Sequence, residues 1–175
     1  MPRSDYEGKE QIKDWISELK PKYNKILDIG VGQGTYLNLF KKLDNLQGCE
    51  WHGVEIWEPW VPKYKLNEIY DNFYLDDVRT FDYSKVGKVD ICFAGDIIEH
   101  MRKDEALVLY KKLLEVSDCL ILSIPIIYMP QGADEGNPYE VHVKPDWTHQ
   151  EVLETFPEIK ECYGGSKIGV YLLKK

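Results

Sequence analysis

The sequence predicts an α/β fold, with a doubly wound, mostly parallel sheet of seven strands and an antiparallel strand near the C-terminus. Five short apolar runs alternate with amphipathic segments, as in parallel strands joined by helices. These runs lie near residues 25–30, 51–56, 72–76, 89–94 and 119–124. Two further runs, Ile159–Tyr163 and Ile168–Leu173, flank the turn Gly164-Gly165-Ser166-Lys167. That turn predicts a hairpin of two antiparallel strands.

Helices are predicted between the strands by apolar residues at helical spacing. A first amphipathic helix covers Glu7 to Lys20 and ends at Pro21, and a second covers Thr35 to Leu43. Four strand–helix units follow the first helix, and the last of these helices runs from Asp96 to about Val116. Thr148 and Glu151 form a capping box that begins a final helix.

The 175 residues fit one domain, residues 1–175, with an N-terminal helical segment at 1–24 and an aperiodic loop at 126–147. The formal net charge is −8, which argues against a nucleic-acid partner. The four cysteines have neither zinc-site nor disulfide spacing, and no signal peptide or membrane span is visible. We therefore expect a cytoplasmic protein with reduced thiols; oligomeric state stays open.

A glycine-rich turn follows the first apolar strand in the segment Asp28-Ile29-Gly30-Val31-Gly32-Gln33-Gly34-Thr35. Glycines there accept backbone angles that a β-carbon forbids and leave room for a ligand against the main chain. The helix that begins at Thr35 would turn its positive dipole end toward that ligand. A dinucleotide fingerprint would need glycine at position 35, where this chain has threonine.

Acidic residues end three further strands. Glu55, next to Ile56, ends the second strand and is suited to accept hydrogen bonds from two ribose hydroxyls, with Glu58 as a nearby competitor. Asp77 and Val78 follow the third strand, with Asp76 as an alternative one residue earlier. The fourth strand ends in Asp96-Ile97-Ile98-Glu99-His100, at the sheet edge where open α/β sheets bind ligands.

The order of these motifs, D-x-G-x-G-x-G and then three acidic strand ends, resembles the class I S-adenosylmethionine-dependent methyltransferases. The segment Asp96 to His100 is similar to the small-molecule branch of that family. The resemblance covers the chain from about Lys25 onward, although the usual Gly-Gly turn before the fifth strand is missing. It implies a Rossmann-like sheet, the cofactor S-adenosyl-L-methionine, and methyl transfer to oxygen or nitrogen of a small molecule.

The resemblance also implies roles for individual residues. The predicted cofactor-binding residues are Asp28, Gly30, Gly32, Gly34, Glu55, Ile56, Asp77, Val78 and Asp96. Within the family, the acid matching Glu55 binds the ribose, and the position matching Asp77 and Val78 faces the adenine ring.

Catalysis needs a base only where the acceptor must lose a proton. His100 is the first candidate, followed by Asp96 and His142, and His149 is also available. His100 is expected one helical turn after Asp96 on the same face; a helix-capping role for it is an equal alternative. No metal site is predicted.

The loop at residues 126–147 is predicted to contact the acceptor. Its Tyr128, Tyr139, His142 and Trp147 could enclose an apolar or sugar-like molecule, or could instead pack the loop onto the sheet. Two functional alternatives stay open: a catalytically silent S-adenosylmethionine-binding partner subunit, and a nicotinamide-dependent oxidoreductase.

Overall fold

A seven-stranded sheet forms the centre of the molecule. The structure is a computed structural model that describes residues 5–20 and 22–174. The strands are β1 (Lys25–Ile29), β2 (Glu50–Glu55), β3 (Asn72–Leu75), β4 (Val89–Gly95), β5 (Ser117–Pro125), β6 (Ile159–Gly164) and β7 (Ile168–Leu173). Their order is β3-β2-β1-β4-β5-β7-β6, and β7 runs antiparallel to both of its neighbours. The predicted fold class, including the C-terminal hairpin, is confirmed.

Six α-helices connect the strands within the described residues. They are α1 (Lys9–Leu19), α2 (Thr35–Phe40), α3 (Trp60–Tyr64), α4 (Leu66–Ile69), α5 (Lys103–Val116) and α6 (His149–Thr155). Helix α6 begins as predicted, because the Thr148 side chain accepts the Glu151 backbone N–H at 3.1 Å. Pro21, predicted to end the first helix, lies outside the described residues.

The helix predicted from Asp96 is wrong in its first turn. After β4 the chain makes only a short 3₁₀ turn at Ile98–His100, and α5 begins at Lys103. The reason is local: Asp96 has a left-handed φ of 49°, and the Glu105 carboxylate caps the Arg102 N–H at 2.9 Å, which fixes a new helix start. Asp96 and His100 therefore do not share one helical face.

The connection between β3 and β4 also differs from the prediction. The described residues there contain the 3₁₀ turn Tyr83–Lys85 and no α-helix. Phe81 and Tyr83 instead cover the sheet, with Phe81 5.0 Å from the Tyr74 ring and 5.1 Å from the Tyr83 ring. Two aromatic side chains bury the surface that a helix would otherwise cover.

Apolar side chains form a core on each face of the sheet. In β1, Leu27 and Ile29 point to the face covered by α5 and α6, while Ile26 points to the face covered by α1 and α2. This alternation follows from the two-residue repeat of a strand. No helix among the described residues has the length and apolar character needed to cross a membrane.

Candidate functional site

A cavity of about 280 Å³ opens at the carboxyl ends of β1, β2 and β4. Eight predicted site residues line it: Gly30, Gly32, Glu55, Ile56, Asp77, Val78, Asp96 and His100. Asp28, Gly34 and His142 do not line it. The site therefore lies at the sheet edge where open α/β sheets bind their ligands.

The glycine-rich turn has the backbone that the sequence predicts. Gly30, Gly32 and Gly34 have φ angles of 62°, 53° and 78°, in the left-handed region that side chains disfavour. A β-carbon built on Gly30 would lie 2.1 Å from Cδ1 of Ile97, another cavity residue. Glycine at position 30 thus permits both the turn and the close approach of Ile97.

Asp28 lies beneath the turn rather than on the cavity wall. It is 1% exposed, and the Tyr70 hydroxyl donates a 2.6 Å hydrogen bond to its Oδ2. Burial raises the pKa of Asp28 to about 7 in spite of that hydrogen bond. Its direct role is therefore to anchor α4 and the segment after it to β1.

Glu55 ends β2 and is bonded to the glycine turn. Its Oε2 accepts the Gly32 backbone N–H at 3.0 Å, and its Oε1 accepts the N–H groups of Ile56 and Trp57, both at 2.9 Å. Burial raises the pKa of Glu55, although these three hydrogen bonds act in the opposite direction. The carboxylate has a fixed orientation at the cavity wall.

Asp77 forms an ion pair with Arg79, a partner that the sequence did not predict. Its Oδ2 accepts a 2.6 Å hydrogen bond from Arg79 Nη2, and its Oδ1 accepts the Arg79 backbone N–H at 2.9 Å. Although burial opposes it, the Arg79 interaction lowers the pKa of Asp77. Asp76, the alternative residue, bonds the Asp77 N–H and does not line the cavity.

Asp96 belongs to a polar network that reaches the first helix. Ser123 Oγ donates to Asp96 Oδ1 at 3.0 Å, and Lys9 Nζ donates to Ser123 Oγ at 3.2 Å and to the Tyr36 hydroxyl at 2.8 Å. Lys9 is only 4% exposed. Burial alone would lower the pKa of Lys9, yet its interactions with Tyr36 and Asp96 raise it. The sequence gives no signal for this buried lysine on an otherwise amphipathic helix.

His100 and His142 come together at one side of the cavity. Their ring centroids are 4.8 Å apart, in an edge-to-face arrangement. Nδ1 of His100 lies 3.2 Å from the Val141 carbonyl oxygen, and Nδ1 of His142 lies 2.6 Å from that of Met129. Burial lowers the pKa of both imidazoles, which favours their neutral forms.

Glu99 completes this group and was not among the predicted site residues. It is 1% exposed, and neither carboxylate oxygen has a hydrogen-bond partner in another described residue. Burial raises the pKa of Glu99 well above its ordinary value. One ligand atom from each of Glu99, His100 and His142 lies within 4.8 Å of the others.

The loop at 126–147 contacts the cavity through its middle. A 3₁₀ turn, Pro138–Glu140, lines the cavity together with Asn137, Val141 and Val143. Of the predicted aromatic residues, Tyr139 lines the cavity, Tyr128 is 73% exposed away from it, and Trp147 is 1% exposed in the core. The Trp147 ring packs on the Phe156 ring at a centroid distance of 6.0 Å. The prediction that Trp147 encloses the acceptor is therefore wrong, and this residue instead packs the loop onto the core.

The chain is similar to known proteins in its structure, but no similarity in sequence was found. No protein-family model matches the sequence, and no curated protein sequence matches it. The N-terminal domain of EvdMO1 with SAH bound has 16% identity and a TM-score of 0.67, covering 98% of this chain and 82% of that one.

Two other solved structures are similar over most of this chain. Magnesium protoporphyrin IX methyltransferase from Synechocystis PCC 6803 with bound SAM is 15% identical with a TM-score of 0.61, covering 95% of this chain and 77% of that one. The small RNA methyltransferase HEN1 is 18% identical with a TM-score of 0.67, covering 100% of this chain but 26% of HEN1. These methyltransferases differ in acceptor, so the similarity carries no information about the acceptor. The chain has the fold of the class I S-adenosylmethionine-dependent methyltransferases.

Proposed function

We propose that this chain is an S-adenosylmethionine-dependent methyltransferase that acts on a small-molecule acceptor at oxygen or nitrogen. One observation carries the proposal: a single cavity is lined by the glycine turn, by Glu55 and by the Asp77–Val78 pair. Each of these motifs is weak evidence alone. Their convergence at the carboxyl edge of the sheet, in a fold shared with methyltransferases, supports a common ligand.

The cavity fits a cationic cofactor. Four carboxyl-bearing residues, Glu55, Asp77, Asp96 and Glu140, line it against one guanidinium, that of Arg79. A sulfonium and an α-ammonium group are favoured by that excess of negative charge. Thr35 and Trp60 also line the cavity, and each carries a buried polar atom without a hydrogen-bond partner among the described residues. A bound ligand would supply such partners.

Glu55 is proposed to accept hydrogen bonds from the two ribose hydroxyls. Each carboxylate oxygen has two lone-pair directions, so the three backbone N–H groups leave one direction on Oε2 for a ribose hydroxyl, and the second hydroxyl would share Oε1 with the N–H groups of Ile56 and Trp57. Ile56 adds an apolar contact beside the ribose. The orientation of the carboxylate is fixed before binding, so little conformational entropy is lost when the ligand arrives.

The adenine is proposed to lie against Val78, with Asp77 facing its exocyclic amine. The Arg79 guanidinium already donates two hydrogen bonds to Oδ2 of Asp77, so the adenine amine would share this carboxylate with it. The Gly30 and Gly32 backbone is proposed to approach the methionine portion, with Asp96 beyond it. Asp28 and Gly34 are proposed to support the turn from behind.

S-adenosylmethionine, when bound, supplies a methyl group activated by its sulfonium charge. The residues around it contribute alignment and exclusion of water, which account for much of the acceleration of such a displacement. Where the acceptor must lose a proton, His100 is the first candidate base and His142 the second, with Asp96 as a third. Both imidazoles have Nδ1 directed at a carbonyl oxygen, which leaves Nε2 as the proton acceptor.

Binding and turnover test this proposal separately. Calorimetry with S-adenosylhomocysteine should show one-to-one binding, while NAD⁺ should show none; the reverse would favour a nicotinamide-dependent oxidoreductase. Formation of S-adenosylhomocysteine from S-adenosylmethionine is then measured over a panel of hydroxyl and amine metabolites. Turnover of at least one acceptor supports the enzyme, and binding without any turnover would favour a silent partner subunit.

A further inference from the structure

The cluster of Glu99, His100 and His142 has the composition of a transition-metal site. One carboxylate and two imidazoles are the donors that zinc, iron, manganese and cobalt accept in proteins, while calcium and magnesium prefer oxygen alone. The three side chains come from two separate segments, the turn after β4 and the loop at 126–147. Glu99 and His100 are adjacent in the sequence, and folding brings the distant His142 to them.

In each of the two imidazoles, the Nε2 atom is the nitrogen that can bind a metal ion. A carbonyl oxygen only accepts hydrogen bonds, so the Nδ1 atoms facing Val141 O and Met129 O carry the protons. A neutral imidazole then has its lone pair on Nε2. Metal-binding histidines use this arrangement, since the hydrogen bond from the other nitrogen fixes the tautomer and the ring orientation.

The buried carboxyl group of Glu99 provides an independent observation that points to a ligand. Its carboxyl group is almost fully buried, and neither oxygen has a hydrogen-bond partner in another described residue. Burying a carboxyl group without hydrogen-bond partners is strongly unfavourable, so such groups are rare without a role. The Lys144 N–H bonds the Glu99 backbone carbonyl at 3.0 Å, which ties this residue to the loop that carries His142.

We propose that Glu99, His100 and His142 bind one divalent transition-metal ion at the side of the cavity. One potential donor atom from each of the three side chains lies within 4.8 Å of those from the other two. Donors bound to one ion at about 2.1 Å lie roughly 3–3.5 Å apart, so side-chain movements of about 1 Å close the site. His100 also lines the cavity, so an ion bound at this side chain would lie beside that space.

The catalytic role of this ion rests on the proposed function. A hydroxyl of the acceptor that coordinates the ion loses its proton to solvent more readily. Its oxygen then forms a bond to the methyl carbon, the carbon–sulfur bond breaks, and the bonding electron pair stays on sulfur. In the metal-bound protein the Nε2 atoms of His100 and His142 are ligands, so the ion replaces a histidine base. The acceptor class narrows to hydroxyl compounds.

Cobalt binding tests the site without an acceptor. The chain is freed of metal with a chelator and titrated with Co²⁺ while its visible absorption is recorded. A Cys162→Ser background is used because this thiol is exposed and thiolates are cobalt ligands in general. One equivalent should bind. Glu99→Gln and His142→Ala should each weaken binding at least about tenfold, and His149→Ala, whose Nδ1 lies 2.8 Å from the Tyr171 hydroxyl, should not.

Two controls keep the result decisive. Circular dichroism establishes that each variant is folded; if buried Glu99→Gln unfolds, His142→Ala in the loop carries the test. Absence of cobalt binding to the parent chain, or equal binding in the His142 and His149 variants, overturns the metal site. Calorimetry with S-adenosylhomocysteine on the same samples separates the two proposals, because cofactor binding without cobalt binding refutes only the metal site.

Discussion

The Gly32 backbone N–H donates a 3.0 Å hydrogen bond to Oε2 of Glu55, joining the glycine turn after β1 to the end of β2. Two motifs that lie more than twenty residues apart therefore form one rigid wall of the cavity. Any ligand that contacts the Glu55 carboxylate also meets the turn in a fixed position. Substitutions in either motif should alter ligand binding through the other.

Replacing Glu55 by alanine should weaken S-adenosylhomocysteine binding by about 1.5–3 kcal/mol, because hydrogen bonds to a charged carboxylate are lost. Calorimetry measures the change. The matched control is Glu58→Ala, which removes an exposed carboxylate three residues further on and should leave affinity unchanged. Equal affinities of the Glu55 variant and the parent chain would remove Glu55 from the site.

Gly30→Ala should reduce both stability and ligand affinity. Gly48→Ala is its control, because Gly48 has a similar φ of 76° but an added β-carbon there meets nothing within 4 Å. The control should lose about 1–2 kcal/mol of unfolding free energy from backbone strain alone. Gly30→Ala should lose more, since its β-carbon displaces Ile97. Identical losses in urea unfolding, with normal S-adenosylhomocysteine binding, would mean that the turn is only a connector.

The stability of the chain should depend on pH through Asp28. Because burial raises its pKa to about 7 from an ordinary value of 3.8, the folded chain retains a proton that the unfolded chain has released between these values. Stability is therefore lost as pH rises across that interval, by about 1 kcal/mol per pH unit. Asp28→Asn has no such loss.

Urea unfolding of both proteins at pH 5 and pH 8 measures this effect. The unfolding free energy of the Asp28→Asn variant minus that of the parent chain should be larger at pH 8 than at pH 5. Other titrating groups are common to both proteins and cancel in the comparison. A difference that does not change with pH would mean that Asp28 ionises normally.

Tyr139→Ala should slow turnover of an acceptor identified by the panel, with a fall in kcat/KM of about fivefold, the equivalent of about 1 kcal/mol of aromatic contact. Tyr139 lines the cavity, whereas Tyr128 lies in the same loop and is 73% exposed away from it. Tyr128→Ala should retain full activity. Equal turnover by both variants would place acceptor recognition elsewhere on the chain.

Most of the fold could be predicted because its strands are apolar and regular. The β4 and β5 runs are buried almost throughout, so each is a nearly continuous apolar stretch whose position is evident from the sequence. The helix expected from Asp96 was wrong because its start depends on a left-handed φ at Asp96 and on the Arg102–Glu105 cap. Neither feature changes the apolar spacing on which the prediction depended.

The candidate site could be predicted only in part. Glu55 and Asp77 follow strand ends, and a parallel sheet brings such ends to one edge. Lys9 and Glu99 follow no such rule, because a charged side chain is buried only when distant segments happen to enclose it. The distance between His100 and His142 likewise depends on the path of a loop without periodicity.

The position of β7 has a consequence for how the chain folds during synthesis. Strand β7 is the last of the seven to be made, yet it lies between β5 and β6, pairing Leu120 with Leu173 and Pro125 with Ile168. Until residues 168–173 emerge, β5 has an open edge, and all of its residues except Asp118 are ones that the finished fold buries. Pairing across such a long separation is slow, and an exposed apolar strand edge attracts other chains. The growing polypeptide is therefore most prone to aggregate, and most in need of a chaperone, in the interval between translation of β5 and translation of β7.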